Sequence, residues 1–445
     1  MKVIIAGAGE LGYYLAKTLS ESNHKVLLVD VDRGLIDEVD EELDVMTVRG
    51  NVTHRRLLKD IGCAEADLFM ALTGDDAINV VSASWAKKLG AKISLAKVDD
   101  PDYYPNESHI INDEFGIDAT ICSSRILALE FLRKILLIGA EEVYEFAGYG
   151  MSVMHLTVGE NSNLTDMPLK QLEKSQNCRI VGLFRNKLFR ERSSIQKIMV
   201  GDQLAVAGSI IDLFQYMRSL EKDTDHRKAV VVGGGDVGLQ LAKYLELGEE
   251  TIELIEIQKK RCIELAGILK SVRVNHGNAS DLSLLKELRA QSSDYVAMAT
   301  GSDEANIMCC LIAKEASVGY SFARLSQAEY TDVVEHLNID SLAFAHNAVL
   351  QLALGFLDTA TTSKYISTGF SHDYYELRVP AVKKTSFRLS ELNLPSLVHL
   401  IGVVRNFILI DSDSAIKADD HLVFAGPKNS AKAVIKAIRQ LCRET

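Results

Sequence analysis

Two glycine-rich segments carry the clearest chemical signal in the sequence. Gly7–Gly12 and Gly233–Gly238 both read Gly-x-Gly-x-x-Gly, and each follows a short apolar run. The runs predicted to be helical begin just after them, at Tyr13–Ser20 and Leu239–Leu247. In such a loop the first glycine permits a tight turn, the second lets the backbone approach a pyrophosphate, and the third lets the helix pack closely. The helix N-terminus adds free N–H groups for phosphate oxygens. We therefore expect two nucleotide loops, formed by Gly7, Ala8, Gly9, Glu10, Leu11 and Gly12 and by Gly233, Gly234, Gly235, Asp236, Val237 and Gly238.

An acidic residue follows each loop at the same distance. Asp30 and Glu256 both lie 23 residues after the first glycine, at the end of an apolar run with strand character. A carboxylate there accepts hydrogen bonds from ribose hydroxyls and repels a 2′-phosphate. The pattern favours NAD(H), or ADP and ATP, over NADP. The first acid is followed by Asp32 and the second by Gln258, which predicts that the two sites differ.

Further polar residues end the later strands of each copy, at the edge where doubly wound sheets bind ligands. Thr73-Gly74 and Thr300-Gly301 suit contact with ribose or phosphate, or form ordinary turns. Lys97 and Arg324 neutralise phosphate, or form a structural ion pair or a dimer contact. Asn51, with its counterpart Asn278, orients the adenine loop or is a turn residue. The candidate ligand contacts outside the loops are Asp30, Asn51, Thr73, Gly74, Lys97, Glu256, Thr300, Gly301 and Arg324.

An internal repeat with an offset of 226 to 227 residues organises the chain. Strands alternate with helices in both copies, which predicts an α/β fold with two doubly wound parallel, Rossmann-like sheets. A smaller, β-richer module follows each copy: Gly182–Asn186 recurs as Gly402–Asn406, and Gly201–Leu204 has a counterpart in Asp419–Leu422. The expected modules are 1–122, 141–220, 227–346 and 366–445, with a charged linker at 218–228 and connecting runs at 127–138 and 348–357.

Composition limits the remaining function classes. The formal net charge of −12 disfavours non-specific binding to nucleic acid or to an anionic membrane surface. No run approaches the roughly 18 to 20 apolar residues that span a bilayer, and the first residues form a strand rather than a signal peptide. The seven cysteines include no Cys-x-x-Cys pair, which predicts reduced thiols and no zinc site.

No catalytic grouping accompanies the loops. Tyr13 and Lys17 have the spacing of a short-chain dehydrogenase pair, but they lie too near the phosphate end to reach a nicotinamide. A Walker A loop is absent. An NAD-dependent dehydrogenase would need an acid or base such as His155 or His399, and both stand among apolar residues. We therefore predict a nucleotide-binding protein that is not an enzyme, with the dehydrogenase and a sensor without a membrane partner as alternatives.

The duplicated loops, the Thr-Gly-Asp-Asp and Thr-Gly-Ser-Asp-Glu segments and the β-rich modules together resemble the TrkA family of potassium uptake systems. In that family each half carries a regulator-of-potassium-conductance (RCK or KTN) module with a nucleotide-binding N-lobe and a small α+β C-lobe. The resemblance covers nearly the whole chain. At 121–124 the sequence Ile-Cys-Ser-Ser departs from the family's usual start of the crossover helix.

The resemblance implies a cytoplasmic regulatory subunit, peripheral at the inner face of the membrane. Its partner would be an integral membrane potassium transport subunit of the TrkH or TrkG kind, and it would assemble as a homo-oligomer, a dimer or tetrameric ring. In the family the nucleotide contacts are the glycine loop, the acid, the Thr-Gly pair and the basic residue. These fall here on Gly7–Leu11, Asp30, Thr73-Gly74 and Lys97, and on Gly233–Val237, Glu256, Thr300-Gly301 and Arg324.

Overall fold

A computed structural model describes most of the chain. The described residues are 1–100, 103, 110–111, 115–147, 150–160, 164–165, 178–191, 194–195, 197–220, 227–248, 251–288, 293–326, 330, 337, 339–344, 346, 349–350, 353–354, 364–366, 368, 371–379, 386–388, 391–392, 394–395, 397–405, 408–410, 414–427 and 430–444. Most of the predicted linker at 218–228, most of the second connecting run and Asn406 lie outside them.

The chain divides into two compact units. The N-lobe unit comprises residues 1–130, 228–243 and 251–357, and so contains both glycine loops. The C-lobe unit comprises 131–227, 244–250 and 358–445.

The first N-lobe forms a seven-stranded sheet with the order β3-β2-β1-β4-β5-β7-β6. All its strand pairs are parallel except β6 with β7. Its strands are β1 (Lys2–Ala6), β2 (Lys25–Asp30), β3 (Met46–Arg49), β4 (Leu68–Ala71), β5 (Ile93–Lys97), β6 (Ile110–Ile111) and β7 (Ala119–Ile121). Its helices are α1 (Glu10–Glu21), α2 (Arg33–Glu42), α3 (Arg55–Asp60), α4 (Asp76–Leu89) and α5 (Ser123–Leu136), the last of which continues into the C-lobe unit, and a 3-10 turn covers Cys63–Glu65.

The second N-lobe repeats this topology in a six-stranded parallel sheet. Its strands are β13 (Lys228–Val232), β14 (Thr251–Glu256), β15 (Val272–His276), β16 (Tyr295–Met298), β17 (Tyr320–Leu325) and β18 (Ser341–Phe344), in the order β15-β14-β13-β16-β17-β18. Its helices are α7 (Asp236–Glu246), α8 (Lys259–Ile268), α9 (Leu282–Glu287) and α10 (Asp303–Glu315), and α6 (Ile210–Leu220) precedes it. The strand order confirms the predicted doubly wound fold in both copies.

The apolar strand runs explain why both sheets form. Val3 to Ala6 and Ala229 to Val232 are buried on both faces, as central strands of a parallel sheet must be. Helix caps then fix the loops at the carboxyl edge: Asp75 caps α4 by accepting the Ile78 N–H, and Ser302 caps α10 by accepting the Ala305 N–H. Each cap places a helix start directly after a predicted Thr-Gly pair.

The helices after the glycine loops begin earlier than the sequence predicted. We expected starts near Tyr13 and Leu239, but α1 begins at Glu10 and α7 at Asp236, inside the motif itself. Gly9 is the N-cap of α1, and an acidic side chain at the first helical position interacts favourably with the positive end of the helix dipole. The first turn of each helix therefore includes the last residues of the glycine motif.

The C-lobe unit contains two five-stranded sheets of one topology, β11-β10-β12-β9-β8 and β19-β20-β25-β22-β23. Their strand pairs are antiparallel, and a bulge interrupts the register between Ile180 and Gly182 and again between Leu400 and Gly402. The strands of these two sheets are β8 (Glu142–Phe146), β9 (Met151–Thr157), β10 (Arg179–Arg185), β11 (Leu188–Glu191), β12 (Gln203–Gly208), β19 (Lys364–Ile366), β20 (Asp373–Arg378), β22 (His399–Arg405), β23 (Ile408–Ile410) and β25 (His421–Gly426). A separate antiparallel pair is formed by β21 (Ser386–Phe387) and β24 (Ile416–Lys417), and α11 (Ala431–Glu444) ends the unit.

An ion pair marks the repeat of the C-lobes. Arg185 binds the buried carboxylate of Asp202 through Nε and Nη2, both at 2.7 Å, and Arg405 binds Asp420 in the same way at 2.7 and 2.6 Å. Burial acts to raise the pKa of Asp202, but the hydrogen bonds from Arg185 and from the Met199 N–H outweigh it and hold the pKa below its usual value. The sequence matches found between the small modules therefore correspond to equivalent structural positions.

Candidate functional site

The first glycine loop has the geometry that its sequence predicts. Gly7 has a φ of +110°, and a Cβ there would lie 2.9 Å from the backbone of Leu72 and Thr73. A Cβ on Gly12 would lie 1.9 Å from the carbonyl oxygen of Gly7. Gly9 has open space around its Cβ position. The first and third glycines are thus required by the fold, and the second leaves room for a ligand.

The second loop repeats this geometry. Gly233 has a φ of +98° and Gly238 would place a Cβ 1.9 Å from the Gly233 carbonyl oxygen, while Gly235 has open space. Gly234 differs from its counterpart Ala8, because a Cβ there would lie 2.4 Å from the side chain of Leu265. The tighter fit of the second loop against α8 explains the additional glycine.

The two acids hold their loops in place. Asp30 accepts the Ala8 N–H at 2.7 Å through one carboxylate oxygen and the Asp32 N–H at 2.9 Å through the other. Glu256 does the same for the N–H groups of Gly234 and Gln258, both at 2.7 Å. A carboxylate has about four lone-pair directions, so each acid keeps acceptor capacity for ribose hydroxyls.

A buried asparagine, which the sequence analysis did not assign to the site, joins the ends of two strands in each copy. Asn79 accepts the Thr73 N–H at 2.8 Å and hydroxyl at 2.7 Å, and its amide donates to the carbonyls of Thr73 at 3.0 Å and Lys97 at 2.9 Å. Asn306 makes the equivalent four bonds to Thr300 and Arg324. The available signal was the Thr and Asn six residues apart in both copies.

This bond network changes what the predicted threonines contribute. The Thr73 hydroxyl donates to Asn79, and the Thr300 hydroxyl donates to Asn306. The adjacent Gly74 and Gly301 have no heavy atom within 4 Å of a Cβ position. The glycines at this edge of each sheet therefore leave the backbone open to a ligand. The threonine hydroxyls are instead used in hydrogen bonds to the buried asparagines.

The basic residues of the two copies differ. The Lys97 ammonium forms an ion pair with Asp99, which also accepts the Ser123 hydroxyl. At the position of Asp99 the second copy has Ser326, whose N–H donates to Asp303. Among the residues that the structure describes, Arg324 forms no ion pair. Its charge is thus less compensated than that of Lys97.

The asparagines after the third strands have the turn role that we considered as an alternative. Asn51 accepts the N–H and the hydroxyl of Thr53 at 2.9 and 2.7 Å, and Asn278 accepts the Ser280 N–H at 2.9 Å. These side chains fix the loop beside the second strand.

The predicted asymmetry between Asp32 and Gln258 has a structural counterpart. Asp32 caps α2 by accepting the N–H groups of Gly34 and Leu35. Gln258 makes no such cap; instead Arg261, on α8, donates from Nε to the Gly234 carbonyl at 2.8 Å. The second loop is held by a cation that the first copy lacks.

A cavity of about 770 Å³ in the N-lobe unit brings many predicted residues together. Its lining includes the predicted residues Glu10, Leu11, Lys97, Gly233, Gly235, Asp236, Val237, Glu256, Thr300, Gly301 and Arg324. The other predicted residues do not line it: Gly7, Ala8, Gly9, Gly12, Asp30, Asn51, Thr73, Gly74, Gly234 and Gly238. Gly7, Gly12 and Gly238 serve the turn and the helix packing instead.

The described part of the chain was also compared with three other kinds of site: a reactive thiol, a metal centre and a membrane-spanning helix. Cys309 lines the cavity, but burial raises the pKa of its thiol, so the thiol stays protonated at neutral pH. Over the described residues there is no cluster of three metal-ligating side chains. No helix within them combines the length and apolar character needed to cross a membrane.

Comparison with known proteins assigns the family. The chain matches the TrkA-N domain family over residues 3–123 and 229–344. It is 32% identical to the Trk system potassium uptake protein TrkA homolog of Archaeoglobus fulgidus, covering 96% of this chain and 97% of that one. Its fold is similar to that of the GsuK channel bound to NAD, with 17% sequence identity, a TM-score of 0.57, and coverage of 99% of this chain and 79% of that one. It is also similar to GsuK bound to ADP, with 15% identity, a TM-score of 0.52, and coverage of 80% of this chain and 69% of that one. The chain belongs to the family of Trk system potassium uptake proteins TrkA.

Proposed function

We propose that this chain is a nucleotide-sensing regulatory subunit of a membrane potassium uptake system. The observation that carries the proposal is the duplicated loop geometry, in which each glycine turn is fixed by a carboxylate at the end of the second strand. We propose the potassium uptake system because the chain's relatives are named for it. We propose the ligand class because the two GsuK structures are bound to NAD and to ADP. The ligands proposed here are NAD(H), with ADP and ATP as competitors.

Part of the predicted set has a direct role toward the nucleotide in this proposal. Asp30 and Glu256 bind ribose, the N–H groups of Gly9–Leu11 and Gly235–Val237 bind phosphate, and Lys97 and Arg324 supply positive charge at the edge of each sheet. Asn79 and Asn306 are positioning residues, because they fix the backbone of that edge without reaching into the ligand space.

Regulation would follow from differential binding. A nucleotide that binds one arrangement of the assembled subunits more tightly shifts their equilibrium by the difference in affinity. A tenfold preference corresponds to about 1.4 kcal/mol per site, and several sites in a homo-oligomeric dimer or tetrameric ring add together. The membrane partner would be a transport subunit of the TrkH or TrkG kind, and the chain would act at the cytoplasmic face of the membrane through it.

Two of the candidate reacting groups are unsuited to a dehydrogenase. The thiol that lines the cavity stays protonated. His155, one of the two acid–base candidates named from the sequence, is fully buried in the C-lobe unit with Nε2 at 2.6 Å from the Tyr374 hydroxyl. Burial lowers the pKa of His155 to about 4, so the ring is neutral at neutral pH.

The proposal is tested by potassium flux through the transport partner in vesicles, with and without NADH, ADP and ATP. We expect the flux to depend on the nucleotide, and the dependence to disappear in the double variant Asp30→Ala, Glu256→Ala. Glu38→Ala, an exposed acid of α2 outside both loops, should behave like the wild type.

Flux that is the same with and without every nucleotide would refute the regulatory role. Hydride transfer in a substrate panel would favour the dehydrogenase, and failure to capture an integral membrane protein would favour a free sensor.

A further inference from the structure

The peptide unit between Gly234 and Gly235 lies in the middle of the second glycine loop. Its carbonyl accepts a hydrogen bond from Nε of Arg261, on α8, at 2.8 Å. The described residues contain no cis peptide bond. In a planar trans peptide the C=O and N–H groups point in opposite directions. The Gly235 N–H therefore points away from Arg261.

The two glycines of this peptide unit have different surroundings. Gly235 lines the cavity, whereas Gly234 does not. A Cβ on Gly235 would have no heavy atom within 4 Å, but one on Gly234 would lie 2.4 Å from Leu265 of α8. Among the described residues no acceptor is bound to the Gly235 N–H. This N–H is thus available to a phosphate oxygen at the start of α7.

Two charged side chains fix consecutive peptide units of the loop. The buried carboxylate of Glu256 accepts the Gly234 N–H at 2.7 Å, and Arg261 donates to the Gly234 carbonyl. A run of three glycines has many backbone conformations, and ordering it on binding would cost about 1 to 2 kcal/mol per residue. Contacts that fix the loop beforehand remove part of that cost from ligand binding.

The charge of Arg261 is compensated inside the second copy. Its Nη1 donates to Glu264 at 3.2 Å, and its Nη2 lies 3.9 Å from a carboxylate oxygen of Asp236. Its effect on a ligand therefore depends on the hydrogen bond to the loop more than on long-range attraction. A cationic donor on the carbonyl polarises the peptide unit, which makes the N–H at its other end a stronger donor.

The first copy has no equivalent contact. Leu35 is the third residue of α2, as Arg261 is the third residue of α8. In the described part of the chain no side chain donates to the carbonyl of Ala8, the counterpart of Gly234. The contact therefore distinguishes the second loop from the first.

We propose that Arg261 is a positioning residue of the second site, which holds the Gly235 N–H toward a phosphate group and so makes the site select ADP over adenosine. This inference rests on the proposed function, since it assumes that the second loop binds a nucleotide. Loss of the hydrogen bond should lower the affinity for ADP about tenfold. Adenosine keeps its ribose contact at Glu256 and has no phosphate, so its affinity should change less than about twofold.

The test isolates the second site in the full chain with Asp30→Ala, or with the isosteric Asp30→Asn if the alanine variant melts early. Equilibrium dialysis with labelled ADP gives the ADP affinity, and competition by adenosine gives the adenosine affinity. Adding Arg261→Met should lower the ratio of the two affinities about tenfold. Arg261→Lys keeps a cationic donor and should lower it about threefold. Lys260→Met, which removes an exposed cation from the same helix, should leave the ratio unchanged.

The outcomes separate the two proposals. A wild-type chain that binds no nucleotide refutes the proposed function itself. If the wild type binds ADP but the Asp30 variants do not, or if Arg261→Met lowers both affinities alike, only the present inference is wrong. It is also wrong if the ratio falls equally with Lys260→Met. A fall with Arg261→Met that is smaller with Arg261→Lys and absent with Lys260→Met supports it.

Discussion

Replacing Gly12 by alanine should lower the free energy of unfolding of the first N-lobe by about 3 kcal/mol or more. The new Cβ would lie 1.9 Å from the carbonyl oxygen of Gly7, an atom of the backbone that no rotamer change can move. Either α1 shifts away from β1 or the glycine turn opens, and both changes displace the loop that we assign to phosphate. The variant should therefore lose stability and nucleotide binding together.

The single tryptophan of the chain provides the measurement. Trp85 lies on α4 and packs against the core of the first N-lobe, so its fluorescence during urea unfolding reports on this lobe. The matched control is Gly9→Ala, where the added Cβ has no heavy atom within 4 Å. We expect the control to lose less than about 1 kcal/mol while it weakens nucleotide binding. Equal stability losses in the two variants would contradict the assigned roles of these glycines.

Replacing Asn79 by alanine should cost about 3 kcal/mol, because it leaves buried backbone groups without hydrogen-bond partners. The side chain is fully buried and makes bonds to the N–H, the hydroxyl and the carbonyl of Thr73 and to the carbonyl of Lys97. The ends of β4 and β5 would separate, so nucleotide affinity should also fall although the amide does not line the ligand space.

The control for Asn79→Ala is Asn51→Ala, which removes an asparagine side chain from a turn. Its carbonyl oxygen accepts two bonds from Thr53 near the surface, so we expect a loss of about 1 kcal/mol. Trp85 fluorescence again follows the unfolding of the first N-lobe. If Asn79→Ala costs no more than Asn51→Ala, the asparagine does not hold the two strands together.

The sequence predicted the fold class and the loops because their signals are local. Gly12 is required by its contact with Gly7 in the same βαβ unit, and apolar strand runs determine a buried parallel sheet. Gly7 is required by its positive φ and also by a contact that is not local, with Leu72 and Thr73 after β4. Even the small modules could be matched, since the Arg185–Asp202 pair recurs as Arg405–Asp420. The helix starts were placed three residues late, because the last residues of the motif belong to the helix as well as to the loop.

What the sequence could not predict depends on tertiary packing. The roles of Asn79 and Asn306 require the spatial proximity of strands 4 and 5 of each sheet, and spacing alone does not specify which carbonyls an amide reaches. That Glu10 lines the cavity of the other copy follows from how the two N-lobes pack in one unit. Asp32 and Gln258 indicated that the two sites differ, but not how. The structural difference is that Arg261 donates a hydrogen bond to the carbonyl of the second loop.

The number of nucleotides bound per chain tests the account most directly. Equilibrium dialysis with labelled NAD⁺ or ADP should give two bound nucleotides for the wild type. Asp30→Ala and Glu256→Ala should each retain one, and the double variant should retain none while its circular dichroism remains that of a folded chain. A wild-type chain that binds none, or a folded double variant that still binds two, would contradict the assignment of the two glycine loops as nucleotide sites.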